Sequence, residues 1–118
     1  MGTFSVTIEL GDPAGARYLP VEALVDTGAS YTMVPGGLLR ELGVGPHDRV
    51  EFVAAGGRRV ERKVGRTWLR VNGRSEITLV IFGEETSTPL LGAYTLEGLR
   101  LSPDPVNRRL VPVSGLLL

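Results

Sequence analysis

Glycine and proline interrupt this chain throughout its length. Sixteen glycines and eight prolines are scattered over 118 residues and never pooled into one linker, so they divide the chain into many short elements. What lies between them is mostly strand-like. Phe4, Val6, Ile8 and Leu10 alternate with Thr3, Ser5, Thr7 and Glu9, the pattern of a half-buried strand. GDPAG turns the chain, and Tyr18 to Val25 returns as the second arm of a hairpin. Tyr31 to Val34 predicts a short strand stopped by Pro35. GGLLRELGV predicts a short helix with Leu38, Leu39 and Leu42 on its apolar side, ending near Gly43.

Arg49 to Val71 predicts a long extended hairpin with a flexible tip at Ala54 to Gly57. In its returning arm Val60 and Val64 share one parity, Leu69 and Val71 the other, which predicts a β-bulge near Gly65. Asn72-Gly73 is the preferred two-residue hairpin turn and leads into a strand from Glu76 to Phe82. PLLGAYTLEGL supplies an apolar strand, a glycine and a short helix, followed by a last strand around Arg109 to Val113. About eight short strands and one or two short helices make an all-β fold, closed and barrel-like, in a single domain spanning residues 1–118.

Composition narrows the chemistry. Hydrophobic residues make up 42% and charged residues 22%, enough for a true core. Thirteen basic residues balance thirteen acidic ones, which gives no global electrostatic reason to expect nucleic acid or an anionic membrane as partner. With no cysteine there is no disulfide, no thiolate nucleophile and no sulfur-bound metal. His47 is the single histidine and lies in GPHDR, a polar stretch that reads as a solvated loop. Without a histidine base the usual serine and cysteine hydrolase arrangements are unsupported. No metal and no cofactor are expected. MGTFSVTIEL lacks the pattern of a signal peptide and no apolar run reaches the ~20 residues of a membrane span, so a cytoplasmic location is the default expectation.

The basic stretch Arg58, Arg59, Arg62, Lys63, Arg66, Arg70 and Arg74 reads as the solvated face of an exposed hairpin in preference to a nucleic-acid surface, because Trp68 is its sole aromatic neighbour. Trp68 itself reads as a core residue.

One acidic residue stands apart. In ALVDTGASYTMVP, Asp26 sits between two segments that both look buried, so it is either a turn residue or a working carboxylate. Asp-Thr-Gly alone is weak, since Asp and Gly are common turn formers. Three features raise its weight: the flanking apolar strands, the glycine-tipped hairpin downstream, and Leu90-Leu91-Gly92 directly before a helix.

Taken in order, Leu24-Val25, Asp26-Thr27-Gly28-Ala29, Ala55-Gly56-Gly57 and Leu90-Leu91-Gly92 resemble the pattern of the retropepsin-like aspartic proteases, the single-lobe family of retroviral proteases and their cellular relatives. The resemblance spans roughly Phe4 to Val113 and implies an aspartic endopeptidase. Such enzymes activate water between two carboxylates that share one proton. Asp12, Asp48 and Asp104 do not repeat the motif, so the resemblance implies a homodimer with Asp26 contributed by each copy. It further implies that Thr27 bonds across the dimer axis, that Gly28 lets substrate approach its carbonyl, and that Leu91 and Gly92 support the active-site loop.

Ala54, Ala55, Gly56, Gly57 and Arg58 would form a flap over a peptide or protein substrate. Ala29 stands where many pepsin-like lobes carry a hydroxyl donor, which implies activity at mildly acidic pH. Ser30 and Tyr31 depart from the retroviral pattern, which usually places an acidic residue there. Strand pairing at the termini, from Thr3 to Leu10, Val111 to Val113 and Leu116 to Leu118, would build a dimer sheet, with a frayed tail as the alternative. A catalytically weak or inactive module that binds peptide or merely dimerises is the rival reading.

Overall fold

The computed structural model of the chain describes residues 3–115 and 117. Among them the order is β1 (Ser5–Gly11), β2 (Tyr18–Val25), β3 (Thr32–Pro35), α1 (Gly36–Glu41), β4 (Asp48–Val53), β5 (Arg59–Val71), β6 (Arg74–Gly83), β7 (Leu90–Leu91), α2 (Ala93–Leu99), β8 (Leu101–Asp104) and β9 (Arg109–Pro112), with one 3-10 turn at Ala55–Gly57. Strands β1-β2-β7-β3-β6-β5-β4 lie side by side in that order, and β1 also pairs with β5. Six strands therefore close into a ring, and β4 stands outside it on the far edge of β5. The closed all-β lobe with two short helices expected from the sequence is what the chain forms.

Closure depends on a short antiparallel contact, Glu9 opposite Arg70 and Leu10 opposite Leu69. The Arg70 guanidinium grips both Glu9 carboxylate oxygens at 2.9 and 3.2 Å and lies 3.9 Å from the centre of the Tyr18 ring. Planar two-point pairing of this kind sets register as well as attraction. Inside the ring, Ile8, Leu10, Leu69, Val80, Leu91 and Leu99 are fully buried in one core. A smaller cluster of Val64, Leu79 and Ile81 sits beneath β4, with Tyr31, Met33, Val50 and Phe52 packed against it.

Local chemistry explains the connections. Asp12 Oδ1 accepts the amides of Ala16 and Arg17 at 2.8 and 3.2 Å, which folds GDPAG into its turn. Asn72 and Gly73 both adopt positive φ, 52° and 77°, as the tightest hairpin turn requires. Helix α1 buries Leu39 and half-buries Leu38, and the chain leaves it through Gly43 at φ 77°.

Four expectations need correction or refinement. No bulge interrupts β5: its pairing runs without a slip from Val64 opposite Ile81 to Val71 opposite Arg74. The change of parity has another cause. Val64 belongs to the small cluster and Val60 lines a cavity beside its members Met33, Phe52 and Ile81, whereas Leu69 and Val71 belong to the ring core and Thr67 is buried on the same face, so one regular strand serves two cores with its two faces. Tyr31 precedes β3 instead of opening it. Strand β8 was hidden by Pro103, and it pairs with β9 as a separate two-stranded sheet. Trp68 is half-buried, its ring covering Gly15 in the first turn.

His47 is exposed as expected, although its amide donates to the Val64 carbonyl at 2.9 Å. Val113 lies just past β9 and donates its amide to the Arg100 carbonyl at 3.0 Å. Of the Leu116 to Leu118 tail, Leu116 and Leu118 lie outside the described residues. Among the described residues no helix is long and apolar enough to cross a membrane.

Candidate active site

Strand β7 is two residues long and lies between β2 and β3, the strands that enter and leave the Asp26 loop. It runs parallel to β2, Leu24 opposite Leu90 and Val25 opposite Leu91, and antiparallel to β3 through Met33 opposite Leu90. The loop therefore arches over the end of β7. The Asp26 amide donates to the Leu91 carbonyl at 3.1 Å, and the Ala93 and Tyr94 amides at the start of α2 donate to the carbonyls of Ala29 and Ser30 at 2.9 and 3.0 Å. The first amides of a helix have no partner within it, so they are free to hold the loop.

Gly92 makes this closeness possible. A Cβ there would meet the backbone carbonyl carbon of Tyr31 and lie 2.5 Å from its oxygen. Only glycine lets the two segments touch.

Within the loop, Asp26 is half-buried, and Thr27 and Gly28 are exposed. Asp26 Oδ1 accepts the Gly28 amide at 2.9 Å, a side-chain turn that orients the carboxylate. The carboxylate faces an open cavity of about 560 Å³ whose other walls include Phe4, Val25, Thr27, Pro103 and Pro105. Asp26 is the one acidic residue in that lining. The remaining aspartates have different surroundings. Asp12 and Asp104 are held below the usual carboxylate range, Asp12 chiefly by the Ala16 amide and Asp104 chiefly by the Asn107 side chain, which donates at 2.8 Å. Asp48 accepts the neighbouring Arg49 amide at 2.7 Å.

On the other side of the loop runs a groove of about 550 Å³. Gly28, Ala29, Ser30 and Tyr31 form one wall, Met33, Ile81 and Leu90 contribute to the floor, and Glu51 to Ala54 of the hairpin form the opposite wall. Gly28 borders both cavities. The Tyr31 ring meets Phe52 of β4 edge-on at 6.0 Å and Tyr94 of α2 at 5.7 Å, so one aromatic contact chain links the hairpin, the loop and the helix.

At the hairpin tip the Ala54 amide donates to the Arg58 carbonyl at 2.7 Å, and Gly56 and Gly57 adopt φ 86° and 82°. Of the five tip residues, Ala54 borders the groove. Ala55, Gly56 and Gly57 are exposed, and Arg58 borders a smaller cavity beside Arg62 and Ser87. Four of the seven basic residues in the stretch have partners: Arg59 with Glu51, Arg62 with Glu84, Arg70 with Glu9, and Arg74 with the Leu99 and Arg100 carbonyls. That agrees with a solvated, internally compensated surface.

The structure thus brings Asp26, Thr27, Gly28, Ala29, Leu91 and Gly92 together. Two parts of the site escaped the sequence: the wall made by Pro103 and Pro105, and three buried threonines, Thr32, Thr78 and Thr95, behind Gly92. Each threonine interrupts an apolar run, a signal that a polar group has a partner inside.

A family model described as aspartyl protease matches residues 6–95. No curated protein matches the chain significantly. Among solved structures, the EIAV protease in its complex with the inhibitor HBY-793 is similar at 19% identity, covering 83% of this chain and 88% of that one with a TM-score of 0.58. A retropepsin-like aspartic protease from Rickettsia conorii is 21% identical over 88% of this chain and 94% of that one, with a TM-score of 0.45. The likeness of fold rests on the first of these and the membership on the family model, which covers most of the strands and the start of α2. The chain belongs to the aspartyl protease family and has the retropepsin-like single-lobe fold.

Proposed function

We propose that this protein is an aspartic endopeptidase whose active site is completed when two copies bring their Asp26 carboxylates together on a twofold axis. The observation that carries the proposal is the Asp26 cavity itself. It is open, it presents Thr27 and Gly28 to solvent, and it holds a single carboxylate where the chemistry needs two.

In the reaction one carboxylate is ionised and its mate protonated, because two negative charges at such short range disfavour each other. The ionised group takes a proton from water as the water attacks the scissile carbonyl carbon. The protonated mate donates to the carbonyl oxygen. As the gem-diol intermediate collapses, the carboxyl that took the water proton gives it to the leaving amine and the mate takes a proton from a diol hydroxyl, which breaks the C–N bond and restores the shared-proton pair. The titration belongs to the pair and not to either residue.

The groove between the loop and the hairpin suits an extended peptide. Its apolar floor accepts side chains, and the hairpin from Ala54 to Arg58 covers the backbone. Thr27 makes the contact across the axis, Gly28 offers its carbonyl to substrate, and Leu91 and Gly92 hold the loop from behind.

The test is cleavage of an unfolded protein mixture from about pH 3.5 to pH 7, comparing wild type with Asp26→Asn while sedimentation reports the mass. Cleavage by a dimeric wild type, lost in a dimeric mutant, is the expected result. A wild type that remains monomeric at micromolar concentration contradicts the shared site. A dimer without turnover leaves a peptide-binding module.

A further inference from the structure

Three threonines are buried where their neighbours are apolar: Thr32 in β3 and Thr95 in α2 at 0% exposure, and Thr78 in β6 at 1%. Their hydroxyls form one chain. Thr32 Oγ1 lies 2.6 Å from Thr95 Oγ1, which lies 2.8 Å from Thr78 Oγ1. Thr32 Oγ1 also accepts the Gly92 amide at 3.1 Å. Each hydroxyl has one proton to give. Thr95 belongs to both oxygen–oxygen links, and with one proton it donates to at most one of them, so at least one neighbouring hydroxyl donates to it. Buried hydroxyls are costly without partners, which makes such a chain resistant to rearrangement.

The chain ends where the Asp26 loop is held. Gly92 packs against the backbone of Tyr31, Leu91 accepts the Asp26 amide, and Ala93 and Tyr94 donate to Ala29 and Ser30. Four consecutive residues, Leu91 to Tyr94, therefore clamp both ends of the loop. The hydroxyl chain ties that clamp to β3 on one side and to the long strand β6 on the other.

We infer that Thr95 is a positioning residue for Asp26: its hydroxyl, central in the Thr32–Thr95–Thr78 chain, sets the Leu91-to-Tyr94 clamp and through it the placement of the carboxylate. The inference rests on the reading of Asp26 as the catalytic group. Thr95 does not touch the reacting atoms. Misplacement of a catalytic group costs rate more than substrate binding, so loss of the hydroxyl acts on kcat.

The experiment compares Thr95→Val, Thr95→Ser and Thr78→Val in the full chain. It measures kcat and KM on a peptide that wild type cleaves, and hydrogen exchange at the amides of Asp26, Gly92, Ala93 and Tyr94. Thr95→Val keeps the shape and breaks both links. A fall in kcat of about tenfold or more is expected, with KM within about twofold. Thr95→Ser keeps the hydroxyl and stays within about threefold of wild type, while Thr78→Val breaks one link and falls between them. The Gly92 amide exchanges faster in the same order, beyond any change shared by amides elsewhere in the ring.

Wild-type kcat in Thr95→Val overturns the inference. So does a serine variant as impaired as the valine one, because the methyl group and not the hydroxyl then matters. Should Thr95→Val fail to fold, Thr95→Ser and Thr78→Val carry the same comparison. If wild type itself cleaves nothing, the catalytic reading fails and exchange alone decides: unchanged Gly92 protection in the hydroxyl-deleted variants overturns the inference as well.

Discussion

The backbone amide of Asp26 donates to the carbonyl of Leu91 at 3.1 Å. Together with the Leu24 amide, which donates to the Pro89 carbonyl at 2.9 Å, it brackets the two-residue parallel ladder between β2 and β7. So short a strand cannot hold a loop on its own hydrogen bonds. Two neighbours fix its position: Gly92, at contact distance from Tyr31, and helix α2, whose first amides grip the loop.

Gly92→Ala is therefore expected to be severe. The added methyl would strike backbone atoms of Tyr31, which cannot rotate away as a side chain tip could. Overpacking of this kind costs about 3 kcal/mol. Urea unfolding should show a lower midpoint, and cleavage by the folded fraction should be lost. A midpoint equal to wild type would mean that the loop has room that the geometry denies it.

Phe52→Ala tests the hairpin. Phe52 is half-buried and meets Tyr31 edge-on, so truncation removes both packing and the ring contact that ties β4 to the loop. A fully buried Phe→Ala change costs about 3–5 kcal/mol, and half that is expected here. Since the core of the ring is untouched, the kinetic signature is a raised KM with a smaller change in kcat. Faster proteolytic nicking near Gly56 and Gly57 provides a second readout. A variant that loses kcat with KM unchanged would assign Phe52 to the chemistry instead.

Stability should fall on the acid side, and the direction follows from three carboxylates. Arg70, through its hydrogen bonds, holds Glu9 below its ordinary 4.5, the Ala16 amide holds Asp12 below 3.8, and the Asn107 side chain holds Asp104 below 3.8. In the unfolded chain these groups bind protons at higher pH than in the folded one. Their stabilisation is therefore complete above their ordinary values and disappears as pH falls through the depressed folded values. The thermal midpoint should be nearly level from about pH 7 to 5 and decline below about pH 4. Replacing Glu9, Asp12 and Asp104 together with their amides should flatten that decline. A midpoint that rose between about pH 5 and 3 would reverse the sign of the argument.

Much of the site was legible in the linear chain because its signals are local. A strand ending at Asp26, the Asp-Thr-Gly turn after it, a hairpin tip with two glycines and an apolar pair before Gly92 each leave a mark within a few residues. Harder to see were features that depend on what lies across the fold. The slip of parity in β5 looked like a bulge, although the strand is regular and serves two cores. Pro103 disguised β8, because proline in a strand is tolerated at an unpaired edge and a sequence does not say which edge is unpaired. Threonines 32, 78 and 95 lie in three different elements, and nothing local says that their hydroxyls meet.

The sequence by itself determined the alternation of the strands, the Asn72-Gly73 turn, the two short helices and the place of Asp26 between buried segments. These follow from side-chain period, backbone freedom and capping, which act over a few residues. Tertiary structure alone decided that β7 slips between β2 and β3, that Arg70 closes the ring on Glu9, and that Thr95 stands between Thr32 and Thr78. Those outcomes are set by which polar groups find partners, buried for the threonines and partly exposed for Arg70 and Glu9, and by which backbones can touch, and such terms exist only once distant parts of the chain are brought together.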